Sequence, residues 1–145
     1  MLLRQGNKAV QFNILGYEFA RCKPPDGEYN YDANWLVCEI TFLASKQIKT
    51  YNKACILTYE LAELANEMSE IVKGSTKCYV SNFIEPNLQF KIAKLGNHIQ
   101  LTLKFADDLQ ESNSNKFKVE ALLSQKEGAN VLQELKHLVA KFPER

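Results

Sequence analysis

The sequence predicts an α+β fold: one antiparallel, strongly curved β-sheet with two amphipathic helices packed on it, over a single domain spanning residues 1–145. Three observations predict it. Several short segments alternate apolar and polar residues at the period of a strand, two longer segments repeat apolar residues every three or four positions, and the connections between consecutive strands are short enough for hairpins. With 46% hydrophobic and 24% charged residues in 145, the composition is that of one ordinary core. A chain of this length buries about two thirds of its unfolded surface, so neither a metal nor a disulfide framework is required.

The elements follow in order. Val10, Phe12 and Ile14 alternate with Gln11 and Asn13 as a half-buried strand. Cys22 to Glu28 concentrates turn chemistry, Pro24-Pro25-Asp26-Gly27, and reads as a surface loop. From Trp35 to Ala44, Leu36, Cys38, Ile40 and Phe42 share one face of a central strand, with Trp35, Val37, Glu39 and Thr41 on the other. A weaker strand over Gln47–Ile56 pairs with it through a turn near Ala44-Ser45-Lys46.

Leu61, Leu64, Ala65, Met68, Ile71 and Val72 form one apolar stripe, so a helix is expected over Tyr59–Lys73 with Thr58 as its N-cap and Gly74 as its stop. Strands are expected over Cys78–Ile84, Leu88–Ile92 and Ile99–Phe105, the last two joined by a Gly96-Asn97 hairpin turn. Glu85-Pro86-Asn87 reads as a tight turn or an edge bulge. After the polar loop Asp107–Asn115, Phe117, Val119, Ala121 and Leu123 alternate as a further strand. Ser124 and Glu127 then stand as a capping box for a closing helix whose buried stripe is Val131, Leu132, Leu135, Leu138, Val139 and Phe142, stopped by Pro143. No sequence repeat or linker divides the chain.

Composition narrows function by exclusion. Eighteen basic and seventeen acidic side chains give a net charge of +1, so no global field draws in nucleic acid or an anionic membrane, and neither is expected as a partner. No apolar run approaches a membrane span, and the N-terminus turns polar after three residues, so a cytoplasmic protein is expected. Cys22, Cys38, Cys55 and Cys78 form no C-x-x-C pair and have no histidine nearby, which suits free thiols in a reducing compartment and no metal site.

No G-x-S-x-G and no phosphate-binding glycine loop is present, and His98 and His137 each stand alone in a regular element, so no catalytic residue and no cofactor is assigned. Asp107-Asp108 is the only adjacent acidic pair, and a solvated turn accounts for it.

Two constellations stand out. Glu60, Glu63, Glu67 and Glu70 project from one side of the first helix as an acidic ridge, an arrangement that like-charge repulsion disfavours locally and that suits either a solvated face or a basic partner. Tyr29, Tyr31 and Trp35 cluster near the Pro-Gly loop; exposed they would anchor an interface, and buried they would cap the sheet.

Three stretches in fixed order, Tyr31-Asp32-Ala33-Asn34-Trp35-Leu36, Cys55-Ile56-Leu57-Thr58-Tyr59-Glu60-Leu61 and Phe83-Ile84-Glu85-Pro86-Asn87-Leu88, with a closing Phe142-Pro143, resemble the WapI-like family of bacterial immunity proteins. The chain departs from the family pattern at Ala54, where proline is frequent. The resemblance implies a cytoplasmic, non-enzymatic inhibitor whose partner is the toxic C-terminal domain of a cognate polymorphic toxin, a nuclease in the name-giving system. Within its motifs Asp32, Asn34, Trp35, Thr58, Glu85, Pro86 and Asn87 are expected to be architectural, whereas Glu60, Glu63, Glu67, Glu70, Tyr29 and Tyr31 are the expected partner-binding residues. An adaptor or small-ligand-binding module using a concave sheet face is the alternative.

Overall fold

A computed structural model describes residues 1–20, 30–45, 47–108 and 115–145. The expected Pro-Gly loop, with Cys22 and Tyr29, and the middle of the expected polar loop after Asp108 lie outside the described residues. Strands β1 (Leu2–Gln5), β2 (Lys8–Tyr17), β3 (Trp35–Ala44) and β4 (Gln47–Leu57) form one antiparallel sheet in sequential order, with the short helix α1 (Tyr31–Asn34) before β3. Helix α2 (Thr58–Lys73) follows. Strands β5 (Cys78–Val80), β6 (Leu88–Leu95), β7 (His98–Ala106) and β8 (Lys116–Ser124) form a second antiparallel sheet, and helix α3 (Gln125–Lys141) closes the chain.

The α+β class holds, but the single sheet does not. The chain builds four sequential strands and a long helix twice, although its sequence carries no repeat. The break falls at α2, which stands between β4, the last strand of the first sheet, and β5, the first strand of the second. Where the sheets come close, at β1 and β8, a side chain makes the bridge, the Glu120 backbone N–H donating to Gln5 Oε1 at 2.9 Å.

The alternation read from sequence sets the inner faces. Phe12 of β2 meets Phe90 of β6 edge-on at 5.5 Å, and Phe42 of β3 stacks on Phe117 of β8 at 4.5 Å, so the sheets contribute to one core. Leu61, Leu64, Met68 and Ile71 from α2 and Val131, Leu132 and Leu135 from α3 join it, all buried. Leu36, Cys38, Ile40 and Phe42 lie inward as their alternation predicts. Cys38 and Cys55 are buried free thiols and Cys78 is an exposed one. The side-chain hydrogen bond between Cys38 and Cys55, and then burial, push the Cys38 thiol well above its ordinary range.

Several local expectations change. The strand expected over Cys78–Ile84 ends at Val80, because Ser81 Oγ takes the Phe90 N–H at 2.9 Å while its own N–H donates to the Phe90 carbonyl. That side-chain bond replaces a ladder bond and releases the chain, so that Phe83 turns into the core beside Phe90. β1 is a strand that the three apolar-rich N-terminal residues did not signal; it pairs with β2 across Gly6-Asn7, where Gly6 takes the positive φ of the turn. The Gly96-Asn97 turn joins β6 to β7 as expected, with Leu95 paired to His98. At α3, Ser124 and Glu127 form the expected reciprocal cap, the Ser124 N–H donating to Glu127 Oε2 at 2.7 Å and the Glu127 N–H to Ser124 Oγ at 3.3 Å.

Candidate functional site

Four of the motif segments converge on the N-terminus of α2, held by two buried polar side chains. Asn34, at the end of α1, is fully buried. Its Nδ2 donates to the Asn30 carbonyl at 2.8 Å and the Arg145 carbonyl at 3.0 Å, and its Oδ1 accepts from Thr58 Oγ1 at 2.9 Å and the Arg145 N–H at 2.8 Å. Those four bonds use both donors and both acceptor sites of an amide, so the side chain can sit in the core with nothing left over.

Thr58 is therefore not the N-cap. The cap position is Leu57, and Thr58 is the first helical residue, its hydroxyl turned to Asn34. The orphan N–H of Leu57 is met by Glu60 Oε2 at 2.8 Å, and Glu60 Oε1 accepts the Ile84 N–H at 2.7 Å. One carboxylate so joins the start of α2 to the segment before β6. Glu60 is only 2% exposed, which removes it from the acidic ridge and from any contact surface. Burial raises its carboxyl above the usual range, and the two N–H donors act against that shift.

The rest of the ridge is not uniform. Glu63 Oε1 accepts from the Tyr79 hydroxyl at 3.1 Å, and burial together with the Glu63 charge pushes that phenol far up. Glu70 pairs with Lys73 at 2.8 Å across one helical turn, and the lysine holds its carboxyl low. Glu63 and Glu67 line a groove of about 610 Å³ between α2 and the end of α3, opposite Val139, Phe142 and Glu144. Tyr59 and Ala62 supply apolar wall, and among the described residues no basic side chain lines it. The groove thus pairs an apolar floor with three carboxylates.

The C-terminal segment that forms one wall is firmly seated. Phe142 is buried, the Tyr17 ring meets it edge-on at 5.7 Å, the Tyr17 hydroxyl donates to the Pro143 carbonyl, and the Arg145 guanidinium lies 3.2 Å from the centre of the Tyr17 ring. Nothing in the local pattern around Tyr17 or Arg145 signals these roles, since each partner is more than a hundred residues distant.

The remaining motif residues take separate places. Tyr31 is half exposed and Asp32 exposed at the start of α1, whose cap is Asn30, its Oδ1 accepting from the Ala33 N–H. Instead of a simple turn, this stretch is a single helical turn that delivers Asn34. Trp35 is partly buried and registers with Leu57 across the β3–β4 ladder. Tyr29 lies outside the described residues. Pro86 is exposed and Glu85 partly so, while Asn87 is buried and bridges to Ala106, its side chain donating to the Ala106 carbonyl at 2.8 Å and its own carbonyl accepting the Ala106 N–H at 2.9 Å. Asp107 closes its loop by accepting from the Asp108 and Asn115 N–H groups and the Asn115 side chain.

Among the described residues no cluster of three or more His, Cys, Asp and Glu side chains could hold a metal ion, and no helix is long and apolar enough to cross a membrane. His98 and His137 are both exposed. In fold the chain is similar to WHY3 from Arabidopsis thaliana, with a TM-score of 0.51 over 98% of this chain and 86% of that one, at 10% identity. No curated protein matches it in sequence. The sequence model of the immunity protein WapI-like family matches residues 1–143, nearly the whole chain, and takes in every motif that meets at the start of α2. This chain belongs to the WapI-like immunity protein family.

Proposed function

We propose that this protein binds the toxic C-terminal domain of a cognate polymorphic toxin in the cytoplasm and neutralises it by occupying its working surface, with no chemistry of its own. The observation that carries the reading is the family match over residues 1–143. The groove between α2 and α3 supports it as the contact region, with Glu63, Glu67 and Tyr59 presented on a helix whose start is anchored by Asn34 and Glu60. Glu70 and Tyr31 extend the same proposal to the flanks of that helix. A lining with three carboxylates and, among the described residues, no cation suits a target that is basic where it acts, and enzymes that hold nucleic-acid phosphates are basic there. A nuclease domain is therefore the target class we favour.

The test begins with capture from a lysate of the native cells and proceeds to co-expression of the captured toxin domain with and without this protein. Restored growth at stoichiometric expression supports immunity. A domain equally toxic in the presence of excess protein would rule it out.

A further inference from the structure

The outer face of the second sheet carries charge that the total of +1 conceals. The β6–β7–β8 register sets Gln89, Lys104 and Lys118 in one row and Lys91, Thr102 and Glu120 in the next, about 7 Å away, with Lys116 beyond Lys118 on the same face. Lys104 and Lys118 are direct cross-strand partners, a like-charge pairing that sheet stability disfavours. Glu120 is the one carboxylate in the two rows. Lys118 takes it at 2.7 Å, and the charges of Lys91 and Lys104 add to that bond in holding its carboxyl low. Among the described residues Lys104 hydrogen-bonds only to the neutral Gln89 Oε1, at 3.3 Å. The Thr102 hydroxyl is buried in the next row with no hydrogen bond among the described residues.

At this edge Lys104, Lys116 and Lys118 line a cavity of about 310 Å³ whose apolar walls include Pro86, Phe105 and Phe117. Among the described residues no carboxylate lines it. A smaller cavity of about 110 Å³ across β8 shares Lys116 and Lys118 and adds Lys8.

We infer that the cavity at the β7–β8 edge is a binding site for a small phosphate monoester carrying an apolar or aromatic group. A phosphate monoester brings close to two negative charges and three strong acceptor oxygens at neutral pH, which matches three ammonium groups better than a single carboxylate does. Phe117 and Pro86 supply the wall for the body of the ligand. The site lies on a different sheet from the α2–α3 groove and does not depend on the immunity reading.

The test is an amide-shift titration of the full chain with phenyl phosphate, with inorganic phosphate and benzyl alcohol as probes of charge alone and ring alone. Saturable shifts are expected at residues 104–106 and 116–118, with phenyl phosphate binding several-fold more tightly than either control. The double substitution K104Q/K118Q, checked for fold by circular dichroism, should weaken binding by about fivefold or more, as the loss of one or two exposed charge pairings does. The proposal is overturned by an absence of saturable shifts at these amides, by unchanged affinity in the folded double variant, or by inorganic phosphate binding as tightly as the aromatic ester. None of these readouts involves a toxin.

Discussion

The side chain of Asn34 holds the backbone of Arg145, 111 residues away, through two hydrogen bonds of 2.8 and 3.0 Å, one to the N–H and one to the carbonyl. With Thr58 and Asn30 on its remaining positions, it ties α1, α2 and the C-terminal segment together.

Replacing Asn34 by alanine removes four hydrogen bonds and leaves a void at a fully buried position. Loss of a buried network of this kind makes Asn34→Ala destabilising by about 2–4 kcal/mol. Thr58→Val, which removes one hydroxyl and keeps the shape, should cost about 1 kcal/mol. Urea unfolding with unchanged m-values is the check, and equal midpoints for Asn34→Ala and the parent would contradict the clasp.

Glu60 sets a pH signature. Its folded-state carboxyl is raised by burial, so its contribution to stability is fully present below the unfolded value and is lost as pH rises through the folded one. Glu60→Gln has no such loss, but it turns an amide NH₂ toward either Leu57 N–H or Ile84 N–H, a mismatch of roughly 1–3 kcal/mol. The stability advantage of the parent over Glu60→Gln should therefore shrink as pH is raised from the acid side of the glutamate range. An advantage that grows with pH would show that the two N–H bonds outweigh burial.

Charge reversal of the groove separates contact from fold. Glu63→Lys with Glu67→Lys should lower affinity for the toxin domain by about tenfold or more at low salt, with a smaller effect at high salt where the screening length is short. Thermal unfolding of the free protein should change little, since only the Tyr79 bond to Glu63 is lost. Unchanged affinity, measured by calorimetry, would take the groove out of the interface.

Packing between α3 and β7 makes a paired prediction. A Cβ added at Gly128 would lie 2.6 Å from Cδ1 of Ile99, so Gly128→Ala sets a helix-propensity gain of about 1 kcal/mol against a clash with the end of a buried side chain. Ile99→Val removes that atom. The double variant should be more stable than the sum of the two single effects, by about 0.5 kcal/mol or more in a double-mutant cycle. Simple additivity would mean that Ile99 moves aside without cost.

Alternation and helical periodicity are local properties, and they were legible. The inward set of β3, the apolar stripe of α2 with Gly74 in the left-handed conformation at its end, and the Ser124–Glu127 cap all follow from residues within a few positions of one another. The same patterns placed the α2 carboxylates on the helix, but not in their surroundings. Whether a glutamate three residues into a helix faces water or an N–H from another segment depends on where Ile84 is brought, and no spacing along the chain encodes that.

By itself, the sequence determined the long strands and the two long helices, which faces are apolar, and the motif order that marks the family, because side-chain pattern and backbone propensity act over a few residues. Only the tertiary structure decided that the strands divide into two sheets, that Glu60 and Asn34 are buried clasps, that Glu63, Glu67 and Glu144 share a groove, and that Lys104 faces Lys118. Each of these depends on segments far apart in the chain meeting in one place, where burial turns a polar side chain from a surface group into a structural bond.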